Sequence, residues 1–231
     1  MKIIWLGHAS LRIEIEDRVL LIDPFLSKSP VFPNERRDEA INGATDILLT
    51  HGHFDHTSDT PEIAKELGVP IYAIMEIASY FGKDEALSTV SFNKGGTVRL
   101  GDKVSVTMVN AVHSSSMPGP DGAIYMGGEA GFMISGEGKT IYVSGDTDVM
   151  ADMKIFNDLH APDIGILSAG GHFTMDMKRA AYAARTFFDF KMVIPYHYKT
   201  FPVLAQNADD LIAGLPGVDV RTPEVLEAIE V

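Results

Sequence analysis

Three histidines and one aspartate stand within a stretch of six residues of this chain. The stretch follows the apolar run at residues 46–49 and reads His51-Gly52-His53-Phe54-Asp55-His56. Imidazole and carboxylate groups are ligands for divalent metal ions such as zinc. A short buried strand would deliver them, and Gly52 allows a tight turn after that strand. Because burying three imidazoles without partners is costly, the pattern predicts a metal site rather than a polar loop.

Other metal-ligating side chains stand in the same position relative to a strand. His113, Asp146 and His197 each come just after a predicted strand, as His51 does. In an open α/β sheet, ligands bind in the crevice beyond the carboxyl ends of the strands. The intervals between the four residues leave room for crossover connections. The chain is therefore predicted to gather them at one edge.

Hydrophobic periodicity predicts the elements that position these side chains. Strands are predicted at residues 2–6, 11–15, 19–23, 46–49, 70–74, 97–100, 104–109, 139–143, 163–167, 191–195 and 218–220. Helices are predicted at residues 61–67, with Thr60 as N-cap, and at 75–81, 177–188 and 209–213. In the strand at 11–15, the alternation of Arg12 and Glu14 with apolar residues predicts a solvated face. Residues 25–43 and 114–122 read as loops, and His160 is placed among loop residues before Pro162.

Each half of the chain has hairpins followed by alternating strands and helices, which indicates parallel strands. This rhythm predicts two similar halves stacked face to face, in a four-layer αββα sandwich. The fold class is α/β, or α+β in some schemes. With 231 residues, one domain spanning 1–231 is expected.

Composition limits the function classes. The formal charge of −13 disfavours nucleic-acid binding, which requires a basic surface. Cysteine is absent, so metal ligands must be His, Asp or Glu. No signal peptide is recognised at the N-terminus, and no apolar run approaches the ~20 residues of a membrane span. We expect a cytoplasmic protein that acts on a small molecule and does not bind membranes; its oligomeric state is left open.

The stretch His51-x-His53-x-Asp55-His56 resembles the signature of the metallo-β-lactamase superfamily, whose fold is the αββα sandwich. Three further segments resemble a widespread group of metal-dependent hydrolases within it: residues 5–10, 170–176 and 195–202. That group is similar to the L-ascorbate phosphate lactonase branch. More distantly, it is similar to the phospholipase D that cleaves N-acyl phosphatidylethanolamine. These motifs are specific for the superfamily and not for a substrate.

The resemblance implies roles for the ligands. His51, His53 and His113 would bind one metal ion, and Asp55, His56 and His197 a second, with Asp146 bridging the two. Asp23 matches an acidic residue that orients the ligating histidines, which need an acceptor for their second N–H group. His8 is expected to support the site in the same indirect way.

Further residues are candidates for contact with the reaction. Asp55 is expected to orient the attacking hydroxide, and His172 to donate a hydrogen bond or act as general acid. Substrate contacts are predicted for Lys28, Arg36 and Arg37, in the loop after Asp23, and for Tyr196 and Tyr198, beside His197.

The chemistry predicted is hydrolysis of an ester, lactone, amide or phosphoester bond by a metal-bound hydroxide. Two divalent ions are expected, with zinc first and manganese, nickel or iron as alternatives. A mononuclear iron dioxygenase of the same fold is the rival enzyme, since the diiron members resemble His-x-Glu-x-Asp-His and His53 stands where that Glu would be. A metal-dependent binding protein without turnover is the alternative outside enzymes.

Overall fold

The computed structural model describes residues 1–231 and contains two seven-stranded sheets and a two-stranded hairpin. The strands of the first half are β1 (Lys2–Trp5), β2 (Leu11–Ile15), β3 (Arg18–Ile22), β4 (Asp46–Leu48), β5 (Ile71–Ile74) and β6 (Thr89–Phe92). Those that follow are β7 (Thr97–Leu100), β8 (Val104–Asn110), β9 (Ser116–Gly119), β10 (Gly122–Tyr125), β11 (Ala130–Gly136), β12 (Lys139–Val143), β13 (Ile164–Ser168), β14 (Met192–Tyr196), β15 (Asp219–Val220) and β16 (Ala228–Glu230).

Seven helices connect the strands. They are α1 (Arg37–Ile41), α2 (Phe54–Thr57), α3 (Thr60–Leu67), α4 (Met75–Phe81), α5 (Asp152–His160), α6 (Met177–Phe187) and α7 (Asp209–Gly214), and a 3₁₀ turn at Asn34–Arg36 precedes α1. No helix has the length and apolar character needed to cross a membrane.

The two sheets have matching designs. The first has the order β16-β1-β2-β3-β4-β5-β6, and the second has the order β15-β14-β13-β12-β11-β8-β7. In each sheet the strands first pair antiparallel, and the last four, β3–β6 or β12–β15, run parallel. Every crossover between parallel neighbours carries at least one helix. The predicted α/β sandwich of two similar halves is confirmed.

Aromatic packing joins the two halves close to the site. Trp5 at the end of β1 stacks on Tyr198, which follows β14 in the other sheet, with ring centroids 5.4 Å apart. Both rings are fully buried. Contact between the ends of β1 and β14 brings the loops after these strands side by side.

The sequence predictions fail where a segment lacks a clear period. Most of the predicted loop at 114–122 lies in the hairpin β9–β10, because Pro118 and Gly119 are tolerated in a two-stranded ribbon with free edges. His160 is wrongly placed in a loop, since it ends α5. The period of α5 is blurred because Met153 and Phe156 are buried while Ile155 and Leu159 are exposed.

Two local predictions also need correction. Thr60 is the first residue of α3, and Asp59 precedes it as the N-cap; Gly68 ends the helix in a left-handed conformation, as expected. Arg12 is not on a solvated face, because its guanidinium donates to the carbonyl groups of Ala40 and Asn42 beside α1. The helix inside the predicted loop at 25–43 covers that face of β2.

Candidate metal centre

The side chains of the site come from the carboxyl ends of six strands. His8 follows β1, Asp23 follows β3 and His51 follows β4 in the first sheet. His113, Asp146 and His197 follow β8, β12 and β14 in the second sheet. His53, Asp55 and His56 come from the start of α2, directly after β4. The site thus lies where matching edges of the two sheets meet.

Three of these strand ends hold a non-glycine residue in the left-handed region. His8, Asp23 and His197 have φ values of 52°, 45° and 59°. Such a conformation costs about 1–3 kcal/mol per residue and persists only where surrounding contacts impose it. The left-handed conformation occurs at three residues of one cluster, which indicates that the positions of their side chains are maintained at a cost in backbone stability.

Three histidines form the first group of ligand atoms. One nitrogen from each of His51, His53 and His113 lies within 4.8 Å of the others. His51 Nε2 and His53 Nδ1 are 3.0 Å apart. Thr50 Oγ1 lies 3.0 Å from His51 Nδ1, so the hydroxyl fixes the ring orientation that points Nε2 into the group.

The second group contains Asp55, His56 and His197. Asp55 Oδ2 lies 3.9 Å from Nε2 of both histidines. His56 and His197 are fully buried, whereas the Asp55 side chain is 18% exposed. Ligand atoms at these separations can share one ion.

Asp146 lies between the two groups. Its Oδ2 is 3.0 Å from His197 Nε2 and 3.4 Å from His56 Nε2 in the second group. The same oxygen is 3.7 Å from His113 Nε2 in the first group. A carboxylate that reaches ligands of both groups is in the position to bridge two ions.

The polar atoms of this cluster have the character of a cation site. His56 Nε2 and Asp146 Oδ1 are buried and have no hydrogen-bond partner. A buried polar atom without a partner costs about 1–3 kcal/mol. Although burial disfavours the charged form of His56, the carboxylates of Asp146, Asp23 and Asp55 outweigh it and raise the pKa of this imidazole well above its usual value. A divalent ion with nitrogen and oxygen ligands fits this set.

Asp23 contacts His56 of the second group on the side of the ring that faces away from Asp146. Its fully buried carboxylate accepts hydrogen bonds from the backbone N–H and the hydroxyl of Thr50, at 2.8 and 2.5 Å. His56 Nδ1 lies 2.8 Å from Asp23 Oδ2, which directs Nε2 of the same ring towards Asp146. Asp23 therefore touches a ligand of each group, directly or through Thr50.

His8 lies beside the second group, with one ring nitrogen within 4.8 Å of ligand atoms of Asp55, His56 and His197. Its Nε2 lies 2.9 Å from Asp55 Oδ2, and its Nδ1 lies 3.0 Å from Thr200 Oγ1. Burial, and then the neighbouring His197, lower the pKa of His8 to about 4. The ring is neutral at pH 7 and can donate one N–H to Asp55, which fixes the orientation of that carboxylate.

The Asp23→Asn variant is expected to bind divalent metal 10-fold to 100-fold more weakly, the range typical for partners of metal ligands. Three donor groups converge on the two oxygens of Asp23, and the amide puts an NH2 group in place of one oxygen, so at least one of these hydrogen bonds is lost. Metal affinity measured by competition with a chromogenic chelator checks this. Asp46→Asn is the matched control, because Asp46 is also buried and accepts from a threonine hydroxyl, at the other end of β4. Equal affinities in both variants and wild type would contradict the role.

The five residues with predicted substrate contacts belong to neither ligand group. The guanidinium of Arg36 pairs with Glu39, and that of Arg37 with Glu62 and Glu66. Tyr196 and Tyr198 are fully buried with their hydroxyl groups unpartnered. Their placement gives no support to substrate contact by these four residues. Lys28, in contrast, lines a groove beside α2.

The loop that carries His172 packs against the backbone at His197. A Cβ on Gly170, at the start of the same loop, would lie 2.0 Å from the carbonyl oxygen of His197. The His172 ring is exposed and packs edge-on against Phe173, 4.5 Å between centroids. No side-chain hydrogen bond restrains it, so the ring is free to meet a bound molecule.

Sequence reasoning missed the hydroxyl groups that orient the rings. Thr50 precedes His51 in the sequence, and Ser114 follows His113, with its Oγ 3.2 Å from His53 Nε2. Thr200 lies three residues after His197. Thr50 and Ser114 could have been identified because each is adjacent in sequence to a predicted ligand. No feature of the sequence pointed to Thr200.

Comparison with known proteins agrees with this geometry. Residues 18–198 match the model of the β-lactamase superfamily domain. The chain is 69% identical over 230 residues to a UPF0173 metal-dependent hydrolase of Dinoroseobacter shibae, with all of both chains covered. It is 61% identical to one of Paracoccus denitrificans, with 99% of both covered. Among solved structures, the metallo hydrolase Igni18 of Ignicoccus hospitalis has a TM-score of 0.87 at 28% identity, over 99% of this chain and 97% of that one.

Proposed function

The chain belongs to the β-lactamase superfamily and to its metal-dependent hydrolases, and from this we propose that it hydrolyses an ester, lactone, amide or phosphoester bond of a small molecule. The observation that carries the proposal is the position of Asp146 Oδ2 between two groups of three ligands. That arrangement suits two divalent ions, with zinc as the first candidate and manganese, nickel or iron as alternatives. When bound, such ions lower the pKa of a water molecule towards 7 and polarise the oxygen of the bond to be cleaved.

In this proposal the chain supplies binding and orientation. His51, His53 and His113 hold one ion, and Asp55, His56 and His197 hold the other, with Asp146 shared. Asp23, Thr50 and His8 fix the tautomer or orientation of these ligands through the contacts described above. Such support is what keeps a metal site at a productive geometry.

Two residues are proposed to act on the reacting atoms. Asp55 is the ligand of the second group that is partly exposed, and its carboxylate can accept a hydrogen bond that orients the attacking water. Neighbouring charges of His56 and the contact with His8 outweigh the effect of burial and hold the pKa of Asp55 below its usual value, so it is ionised at pH 7. His172 is proposed to donate a proton or hydrogen bond to the leaving group.

A hydrolysis screen tests the proposal. Aryl esters, lactones and bis(4-nitrophenyl) phosphate are offered to protein as purified, to protein stripped with a chelator, and to protein reloaded with zinc or manganese. We expect turnover of at least one class that chelation removes and reloading restores. His53→Ala should lower that activity more than about 100-fold, since partners of ligands alone account for 10-fold to 100-fold effects. Equal turnover by stripped and reloaded protein would contradict the proposal.

A further inference from the structure

An apolar groove lies beside the metal centre, between α2, α3, α4 and the β9–β10 hairpin. Its volume is about 710 Å³, and its apolar lining includes Phe54, Tyr80, Phe81, Leu87 and Met117. Phe54 is 52% exposed although it stands between two predicted ligands in the sequence. A large apolar side chain left half exposed at this point is available to contact a bound molecule.

The groove continues towards a metal ligand. A neighbouring cavity of about 400 Å³ is lined by His53 and shares Phe54, Met117 and Pro118 with the groove. The shared residues place the two cavities side by side. An elongated molecule that extends past Phe54 and Met117 would reach from one into the other. One end of such a molecule would lie against His53 and the other against Tyr80 and Leu87.

Two lysines give this groove a positive character in a chain of formal charge −13. Lys28 and Lys83 line it together with one acid, Asp84. The Asp84 carboxylate is already paired with Lys65 Nζ at 2.5 Å, outside the lining. Lys28 forms no salt bridge, and Lys83 Nζ lies over the Tyr80 ring, 5.5 Å from its centroid. The two ammonium groups are therefore available to an anion.

The backbone that presents Lys28 is held in place. The buried carboxylate of Asp59 accepts hydrogen bonds from the N–H groups of Leu26 and Ser27, at 2.9 and 3.2 Å. Asp59 thereby ties the loop that carries Lys28 to the turn between α2 and α3. A fixed backbone reduces the entropy lost when the lysine binds a ligand.

We propose that this groove binds the part of the substrate remote from the bond to be cleaved. That part is an apolar acyl or aryl group carrying an anionic substituent, which Lys28 and Lys83 bind while Phe54 and Met117 pack against the apolar body. The proposal rests on the proposed hydrolase function and names the chemical class of its substrate. Substrates of this class are amphipathic anions.

Binding of a probe that cannot be hydrolysed tests the proposal separately from turnover. Naphthalene-2-sulfonate and the neutral 2-naphthalenemethanol are titrated into the metal-loaded protein by calorimetry. The sulfonate should bind more tightly than the alcohol. In the Lys28→Ala/Lys83→Ala double variant, affinity for the sulfonate should fall about 5-fold or more and that for the alcohol should stay constant, as expected for partly shielded ion pairs.

Two matched controls define the outcomes. Lys139 is the first residue of β12, at the end of the strand opposite the site. Lys139→Ala should therefore leave the affinities for both probes unchanged. Phe54→Ala should weaken both probes about 10-fold through lost apolar contact, whereas Leu159→Ala, an exposed residue of α5, should not. The proposal is overturned if the double variant binds the sulfonate as wild type does, or if Lys139→Ala matches the double variant. It is also overturned if chelation of the metal abolishes binding while the lysine variants preserve it.

Discussion

The Asp146→Ala variant is expected to retain less than about one thousandth of the hydrolytic activity of the wild type. Asp146 Oδ2 lies within 3.7 Å of Nε2 of His56 and His197 in the second group and of His113 in the first, so its loss removes a shared ligand rather than a supporting contact. Because supporting contacts alone account for effects of 10-fold to 100-fold, the loss of a bridging ligand exceeds that range. Measurement of kcat/KM for the best substrate of the screen, at saturating metal, checks this.

Asp148→Ala is the control for that experiment. Asp148 lies two residues further along the same loop, has a side chain that is 46% exposed, and pairs with Arg179 at 2.7 Å. Its removal deletes a carboxylate of the same type without touching a ligand, and the activity should stay within about 3-fold of the wild type, as for ordinary surface changes. An Asp146→Ala protein that is folded and as active as Asp148→Ala would remove the basis for a bridged site.

The His172→Ala variant is expected to lower kcat about 100-fold while the metal content stays at the wild-type level. General acid catalysis by a positioned side chain contributes roughly 10²-fold to 10⁴-fold, and an exposed ring held by few contacts falls at the lower end. The effect should shrink for substrates whose leaving group is already a good one, such as 4-nitrophenolate, because such a group needs no proton. Kinetics with pairs of aryl and alkyl esters measure the difference.

His160→Ala provides the matched histidine control for that series. His160 is the last residue of α5 and precedes the amino end of β13, whereas His172 follows the carboxyl end of that strand. Its removal should leave kcat and the dependence on leaving group unchanged. If His172→Ala shows the same constants as His160→Ala for the alkyl esters, His172 has no part in proton transfer.

Much of the fold could be predicted because its strands carry strong periodic signals. β2 and β12, and helices α3, α4 and α6, lie within a residue or two of the predicted bounds. The signal fails for α5, whose apolar residues face both the core and solvent, and for β16, a three-residue edge strand that depends on pairing with β1. Such elements are specified by the tertiary contacts around them more than by their own sequence.

The cluster of metal-ligating side chains could be predicted because its members share a position at strand ends. Asp146 and His197 are far apart in sequence, yet both follow parallel strands of one sheet. The distances between the ligand atoms, and the residues that hydrogen-bond to the ligands from behind, could not be predicted in this way. Thr200 near His8, and Asp59 beneath the loop of Lys28, depend on how separate loops meet in space. Arg36 and Arg37 were predicted to contact substrate because they are cations in an acidic chain, but each already forms a salt bridge, with Glu39 and Glu66 respectively.

Metal content of the purified wild-type protein, measured by elemental mass spectrometry after loading and buffer exchange, tests the central claim most directly. Two groups of three ligands joined by Asp146 predict close to two equivalents of zinc, manganese or nickel per chain. Loss of metal in Asp146→Ala, beside full occupancy in Asp148→Ala, would tie that content to this cluster. Absence of bound metal under every loading condition would contradict the account, and a single iron per chain would direct the search to oxygen chemistry instead of hydrolysis.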